Sequence, residues 1–559
     1  MRLVGRLLEF TWFFALGAAL VISALTTDRR TRRVEENPSF CDPFGYLQMA
    51  QEIRHAAAVG AAPDFTLETP HTRLLIELMQ SHEVPLPVWD ELVAPLAFHY
   101  FPAADHVAVQ YPPGAGLLLA LFPEGRALHG LNRSVIVIFL AAGLIMLVIA
   151  AVKRLPVAAG FFILALNLGL EILAQLDNAS FSINALLAPL LLSGLCLSAV
   201  WVLRTDNVRS FFLAWFLALL AGLLFGFAIL VRLPVILLLP SVLLLLWPGH
   251  LRSWYKSAWA AFILGVFLGG MLPVLVHQSR VAGAWYLPTY PRYATDLPTL
   301  ERFWQNISYY FGPGKASTEN WVLPVILVGC VGLIFCSGRQ ATSEGPSTFL
   351  GKLSWSRLIA AALLMLGPST AYFLTHPVAI HYYPWPALFG TVLLLALGAY
   401  GLEDHSSATF KNPGWLRRVL VVAALLLALA PGLIVMGRVW SNYIPFSAEA
   451  RQKQFSLPAE LADESAWVWA CELSGTLWYY ARKPAHKLTA TNRETRELVY
   501  RYVIGRGEPQ YIVTDDEGMQ ALADEIVHLG GTLERRGEVD GYPYFLIHWP
   551  PNGPVERTD

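Results

Sequence analysis

Two aspartates, one arginine and a histidine-rich turn are the residues of this chain whose types and positions suit chemistry. Asp42 lies in Phe40-Cys-Asp-Pro-Phe-Gly-Tyr-Leu-Gln-Met-Ala-Gln-Glu-Ile53, and Tyr46 follows four residues later. On a helix the two share a face. A carboxylate beside a phenol can hold a metal, a proton or a phosphate-bearing group, although Asp before Pro is also an ordinary helix start. Asp177 precedes Asn178-Ala-Ser180. Two carboxylates at neighbouring helix ends divide the work of group transfer. One acts as base on an incoming hydroxyl, and the other orients it or helps to bind a divalent cation such as Mg2+ or Mn2+.

Arg232 is embedded in Phe227-Ala-Ile-Leu-Val-Arg-Leu-Pro-Val-Ile-Leu-Leu-Leu-Pro240. A guanidinium in such a run needs a carboxylate or phosphate partner, or must snorkel to headgroups. The stretch His376-Pro-Val-Ala-Ile-His-Tyr-Tyr-Pro-Trp-Pro386 concentrates His376, His381, Tyr382 and Tyr383 in one short turn. An aromatic belt at a membrane surface accounts for its tyrosines and tryptophan. It does not account for the histidines, either of which could donate to a phosphate oxygen or coordinate metal. Tyr290, Arg292, Tyr293 and Lys315 offer further donors and rings, as does Tyr111 in Tyr111-Pro-Pro-Gly114.

The elements that must position these residues are membrane helices. Of 559 residues 55% are hydrophobic and only 14% charged, against about a quarter charged in a soluble domain. Runs such as FFLAWFLALLAGLLFGFAIL carry no charge at all. This excludes a soluble enzyme and a coiled coil. A net charge of -1 offers no basic surface for nucleic acid. Five cysteines do not make a disulfide scaffold, though Cys41 and Cys471, both in polar segments, could pair.

Eleven apolar stretches reach spanning length, near 9–25, 134–152, 158–176, 182–203, 211–230, 232–247, 257–276, 321–337, 357–374, 383–401 and 418–437. With the N-terminus cytoplasmic, the basic loops around Lys153-Arg154, Arg204/Arg209, Arg252/Lys256, Arg339/Lys352 and Arg417-Arg418 all fall inside. The cluster Arg29, Arg30, Arg32 and Arg33 falls outside. Residues 112–122 rise only about 16 Å as a helix, too short to span, and read as a surface or re-entrant helix. The chain divides into a transmembrane part, 1–437, and a soluble extracytoplasmic unit, 438–559. The transmembrane part includes extracytoplasmic loops 26–133 and 277–320.

The tail predicts a helix opening at Pro458, strands at 466–470, 511–514 and 542–548, and a helix from 519 stopped by Gly530-Gly531. That alternation predicts a mostly parallel α/β sheet. Asn132, Asn178 and Asn306 head N-x-S sequons.

In this order, Asp42-Pro-Phe-Gly-Tyr46, Tyr111-Pro-Pro-Gly114, the Asp177 neighbourhood, Val231-Arg232-Leu-Pro234, residues 284–290 and His381-Tyr-Tyr-Pro-Trp-Pro386 resemble the membrane-embedded GT-C glycosyltransferases. The likeness is to the bacterial branch near lipid A aminoarabinose transferases and protein O-mannosyltransferases, and it covers about residues 9–437. It implies a polytopic helical bundle in a bacterial inner membrane and a polyprenyl-phosphate-linked monosaccharide as donor. Transfer would occur on the extracytoplasmic side, usually with inversion. By the resemblance Asp42 is the catalytic first-loop carboxylate and Asp177 the second-loop acidic residue. Arg232, His376, His381, Tyr382 and Lys315 would face the donor phosphate. Tyr46, Tyr111, Tyr290, Arg292 and Tyr293 would line the substrate site, and Asp42, Asp177 and His381 are the candidate metal ligands. Pro43 stands where many relatives carry Glu, and no Trp-Trp-Asp motif of the oligosaccharyltransferase kind occurs. The acceptors of those branches therefore do not carry over.

A lipid-linked glycan transporter or flippase is the competing class, and a non-catalytic glycan-assembly protein is another. A transporter is marked by repeated span patterns with helices broken at the midplane, and the sequence shows no internal repeat.

Overall fold

The computed structural model describes residues 2–31, 41–175, 181–202, 208–246, 253–289, 299–311, 355–376, 383–409, 457–551 and 553–554. Seven helices among them are long and apolar enough to cross a bilayer: Phe10–Thr31, Ala127–Lys153, Pro156–Ala174, Ser182–Val200, Phe211–Val231, Lys256–Val281 and Arg357–Thr375. The chain is an integral membrane protein. The expectation of eleven full spans is corrected among the described residues. The stretch 232–247 forms the shorter apolar helix Leu233–Leu246, while 383–401 falls in the 25-residue helix Trp385–Thr409, and 321–337 and 418–437 lie outside the described residues. Proline explains this shortening: Pro234 and Pro240 each lack an N–H, and residues Leu233–Leu238 wind as a tighter 3-10 turn before Leu239–Leu246.

The bundle is held by close backbone approach and by a few polar bonds between helices. A Cβ at Gly222 would fall 2.1 Å from Phe262 O, and one at Gly226 would fall 2.6 Å from Val266 O. Only glycine lets helix Val208–Val231 lie this close to the helix beginning at Ser253. The π-turn Phe267–Met271 falls at the same crossing. Trp12 Nε1 donates to Pro156 O at 3.2 Å, Ser193 to Ala221 O at 2.9 Å and Ser241 to Ala361 O at 2.7 Å.

Helix ends gather on two faces. Thr27 donates to Leu170 O at 3.2 Å, Asn184 to Asn132 at 3.0 Å and Arg232 to Ser182 at 2.9 Å. The ends near 27, 132, 170, 182 and 232 therefore share one face. Lys153 and Tyr400, joined at 3.0 Å, mark the other. The helix ends on either side of position 177 belong to the first face. So do Arg29 and Arg30, which sit in the last turn of helix Arg2–Thr31.

Residues 41–126 cover the first face. Helix Cys41–Val59 is followed by helix Pro70–Ser81 and by strands β1 (Thr66–Leu67), β2 (Phe98–Phe101) and β3 (His106–Val109), in antiparallel order β1-β3-β2. The stretch 112–122 forms the short helix Gly114–Ala120, entered through Pro113.

The tail is an α/β unit of four strands, β4 (Trp467–Trp469), β5 (Gln510–Val513), β6 (Thr532–Val539) and β7 (Tyr542–His548), ordered β4-β5-β7-β6. Only β4 and β5 run parallel, which corrects the expected mostly parallel sheet. Asp540-Gly541, with φ of 50° and 84°, is the tight turn that folds β6 back onto β7. Helix Arg493–Arg506, ending at Gly507, and helix Glu517–His528 complete the unit. Cys471 is a free, buried thiol, so the suggested pairing with Cys41 does not form. Asn132 and Asn306 are buried, which closes those two sequons; Asn178 lies outside the described residues.

Candidate functional site

Asp42 falls in the first turn of helix Cys41–Val59, and its side chain is not among those described. The helix around it is pinned from three sides. Tyr46 stacks on Tyr111 with ring centres 4.5 Å apart, both rings buried. A Cβ at Gly45 would meet the Tyr111 ring at 2.8 Å, so glycine permits the contact. From the tail, the Tyr479 and Tyr480 rings sit 5.4 and 5.9 Å from Phe44. Arg482 donates to Gln48 at 2.6 Å and to Gln51 at 3.2 Å.

The tail grips the first loop elsewhere too. Leu96 N donates to Ser474 Oγ at 3.0 Å, Lys487 lies 3.5 Å from Glu91, and His71 stacks on Trp467 at 4.1 Å. Burial, aided by the Lys483 charge, brings the His71 pKa down to about 4. Burial and then His71 itself take His486 to about 3.

Tyr111-Pro-Pro-Gly114 carries this unit to Arg232. A Cβ on Gly114 would lie 2.5 Å from Val231 N and 2.7 Å from Leu230 O, so the motif rests directly on the turn of backbone preceding Arg232. The half-buried Arg232 guanidinium donates to Ser182 and lies 5.0 Å from the centre of the Tyr383 ring. His376 meets Tyr383 edge-on at 4.7 Å and Tyr372 at 5.2 Å. The structure thus brings Arg232, His376 and Tyr383 together from the ends of separate helices. Tyr290, Arg292, Tyr293, Lys315, Asp177, His381 and Tyr382 lie outside the described residues.

Below Arg232 opens a small cavity bounded by Val235, Leu238, Tyr372, Tyr383 and Pro386. Leu238 and Pro386 also line a second, long apolar cavity that continues past Phe225, Met365, Phe389 and Leu393 to Lys153 and Tyr400. Pro386 to Tyr400 is about 21 Å of helix. The two cavities share Leu238 and Pro386 as walls: the small one lies against a guanidinium at one face, and the long apolar one reaches an ammonium at the other.

Sequence reading did not single out Glu171, buried at 3% exposure beside Leu170, whose carbonyl receives Thr27. Nor did it single out Asp28, 4.0 Å from Arg133. The signal was present: Asn167 and Glu171 are four apart in an otherwise apolar run, and intramembrane carboxylates are rarely idle. With the Asn132–Asn184 and Ser182–Arg232 bonds, these groups form a polar belt across the first face.

For a divalent cation, ligand atoms of Cys471, Glu472 and Asp516 lie within 4.8 Å of one another, a spacing that could hold an ion. The donor chemistry fits Mg2+ or Mn2+ poorly. Burial, then a hydrogen bond to Asp516, pushes the Cys471 thiol pKa up, and a protonated thiol is no ligand for a hard cation. Asp516 also caps helix Glu517–His528 by accepting Met519 N at 2.6 Å.

No family model and no curated protein matches the chain. Among solved structures it is similar to the oligosaccharyltransferase of Archaeoglobus fulgidus in the apo form, at 12% identity and a TM-score of 0.44, over 94% of this chain and 74% of that one. It is similar to AglB of the same organism in complex with an inhibitory peptide and a dolichol-phosphate, at 12% identity and a TM-score of 0.45, over 95% and 74%. It is also similar to ArnT from Cupriavidus metallidurans bound to undecaprenyl phosphate, at 14% identity and a TM-score of 0.41, over 95% and 97%.

Proposed function

We propose that this protein is a GT-C type glycosyltransferase that moves a monosaccharide from a polyprenyl-phosphate-linked donor to an acceptor hydroxyl on a lipid, glycan or protein. The observation that carries the reading is Arg232 placed at a small cavity that shares the Leu238 and Pro386 walls of a long apolar one. A lipid phosphate calls for a cation at the membrane surface with apolar space nearby for its chain. The first face is read as extracytoplasmic, because Lys153, Arg154, Lys256 and Arg357 cluster on the second.

In this reading the phosphate settles against Arg232, and the His376–Tyr383 pair closes over it. The acceptor oxygen attacks the anomeric carbon as the bond from that carbon to the phosphate oxygen breaks. Both electrons of that bond leave with the polyprenyl phosphate. Asp42 takes the hydroxyl proton, and Asp177 orients the acceptor. Because the leaving group is already a phosphate, charge neutralisation by Arg232 matters more than a general acid. A divalent cation, when bound, would share that neutralisation; no step above depends on one. Helix Ser474–Ala481 of the tail, packed on the Asp42 helix, holds the acceptor side of the site.

The test is sugar transfer from a lipid-phosphate sugar by the purified full chain, native against Asp42→Asn. Transfer that needs the native carboxylate supports the reading. Equal transfer by both removes Asp42 from catalysis, and donor-independent movement of lipid across the membrane would establish a transporter instead.

A further inference from the structure

Helix Leu300–Phe311 is amphipathic, and only part of its apolar face is covered. At about 100° per residue, Trp304, Leu300, Ile307, Phe303, Tyr310 and Asn306 occupy one continuous arc of roughly 160°, with Glu301, Gln305 and Ser308 opposite. The Asn306–Tyr310 edge of the arc is buried. Tyr310 packs on Phe373 at 4.7 Å, and Asn306 Nδ2 donates to the carbonyls of Phe373, Leu374 and His376 at 3.3, 3.0 and 2.9 Å. The Leu300–Trp304 edge is not: these side chains are 72% and 59% exposed.

The level of this helix follows from its anchor point. Residues 373–376 are where the span Arg357–Thr375 leaves the membrane, so a helix bonded there lies at the boundary of the hydrocarbon. Trp285 and Tyr286, 61% and 68% exposed, follow immediately after the span ending at Val281, on the same face. Exposed tryptophan, tyrosine and leucine at this depth are the side chains that partition into the headgroup layer. The exposed edge is thus continuous with the lipid-facing wall of the spans.

We propose that the Leu300–Trp304 edge lies in the lipid headgroup layer, making helix Leu300–Phe311 an interfacial anchor whose occupant is the bilayer itself. Because the opposite edge fixes the carbonyl of His376, the anchor ties the His376–Tyr383 pair to the membrane surface. That consequence rests on the phosphate-site reading; the lipid contact does not.

The experiment places the photoreactive residue p-benzoylphenylalanine at Trp304, or at Gln305 on the polar face, in the full chain. Each protein is reconstituted into phosphatidylethanolamine–phosphatidylglycerol vesicles and irradiated, and adducts are identified by mass spectrometry. Lipid adducts at 304 with only background at 305 are expected. Equal labelling at both positions, or adducts at 304 to the chain's own peptides, overturns the proposal. A parallel measurement in brominated lipid, native against Trp304→Phe, reads the same contact without the bulky probe. The variant should lose part of the lipid-quenchable tryptophan emission, and unchanged quenching counts against the anchor. Neither readout needs transfer activity, so failure here and failure of the glycosyltransferase reading are separable.

Discussion

Arg232 and Tyr383 come from different helices, yet the guanidinium sits 5.0 Å from the tyrosine ring centre while it donates to Ser182. The arginine is thereby held by a ring on one side and a hydroxyl on another, beside the small cavity it lines. Meeting a ring and a hydroxyl at once suits the forked guanidinium of arginine better than the point charge of lysine.

Arg232→Lys should therefore behave almost as badly as Arg232→Ala. Loss of a charge-assisted contact with a phosphate costs about 1.5–3 kcal/mol, so the KM for the lipid-phosphate sugar should rise about tenfold to a hundredfold. Steady-state transfer kinetics check this. A lysine variant with native KM would show that Arg232 does not meet the phosphate.

Gly114→Ala tests whether the Tyr111-Pro-Pro-Gly114 motif sets the arginine. The new methyl would press on the backbone of Leu230 and Val231, which cannot rotate away as a side chain can. A cost of about 1–3 kcal/mol in stability is expected, with weaker donor binding because Arg232 is the next residue. Gly17→Ala is the control, since its methyl meets only a Leu147 methyl at 3.7 Å. Thermal unfolding and donor titration of the two variants should separate clearly.

Acidification should loosen the tail from the first loop. His71 and His486 hold pKa values near 4 and 3, below the ordinary 6.5, because burial disfavours their charged forms. Lys483 and Arg506 add to the lowering of His71, while Glu508 opposes it. Both histidines favour the folded form when neutral, so their contribution is complete above about pH 6.5 and lost as pH falls toward 4 and 3. Asp515 acts in the opposite sense: burial raises its pKa from 3.8 to about 6, so its contribution is present below 3.8 and lost as pH rises through 6. Two groups outweigh one, and the unfolding midpoint followed by tryptophan fluorescence should fall between pH 6.5 and 4.5. His71→Phe should flatten that fall; an unchanged slope would assign it to other groups.

The bundle was readable because the signal is bulk apolar length, and the described spans fall where runs of uncharged residues predict them. Span count was less readable, because Pro234 and Pro240 shorten a helix without reducing its hydropathy. The parity of the spans places Arg232 and His376 on one face. Their meeting through Tyr383 depends on a packing angle that sequence does not state. Strand β6 was missed because Thr532–Val539 carries four charged residues, Glu534, Arg535, Arg536 and Glu538, on an exposed edge, and charge hides the strand pattern. The turn Asp540-Gly541 was the available clue. Glu171 sits within an apolar run, and only helix packing buries it to 3% exposure.

The most direct test of the donor site is photolabelling with a polyprenyl phosphate that carries a photoreactive group near its head. In the native protein, labelled peptides should contain residues around 232–238 and 383–393. Unlabelled polyprenyl phosphate should compete the label away, and Arg232→Ala should lose it. Labelling confined to other helices, or undiminished in Arg232→Ala, would contradict the placement of a lipid phosphate at Arg232.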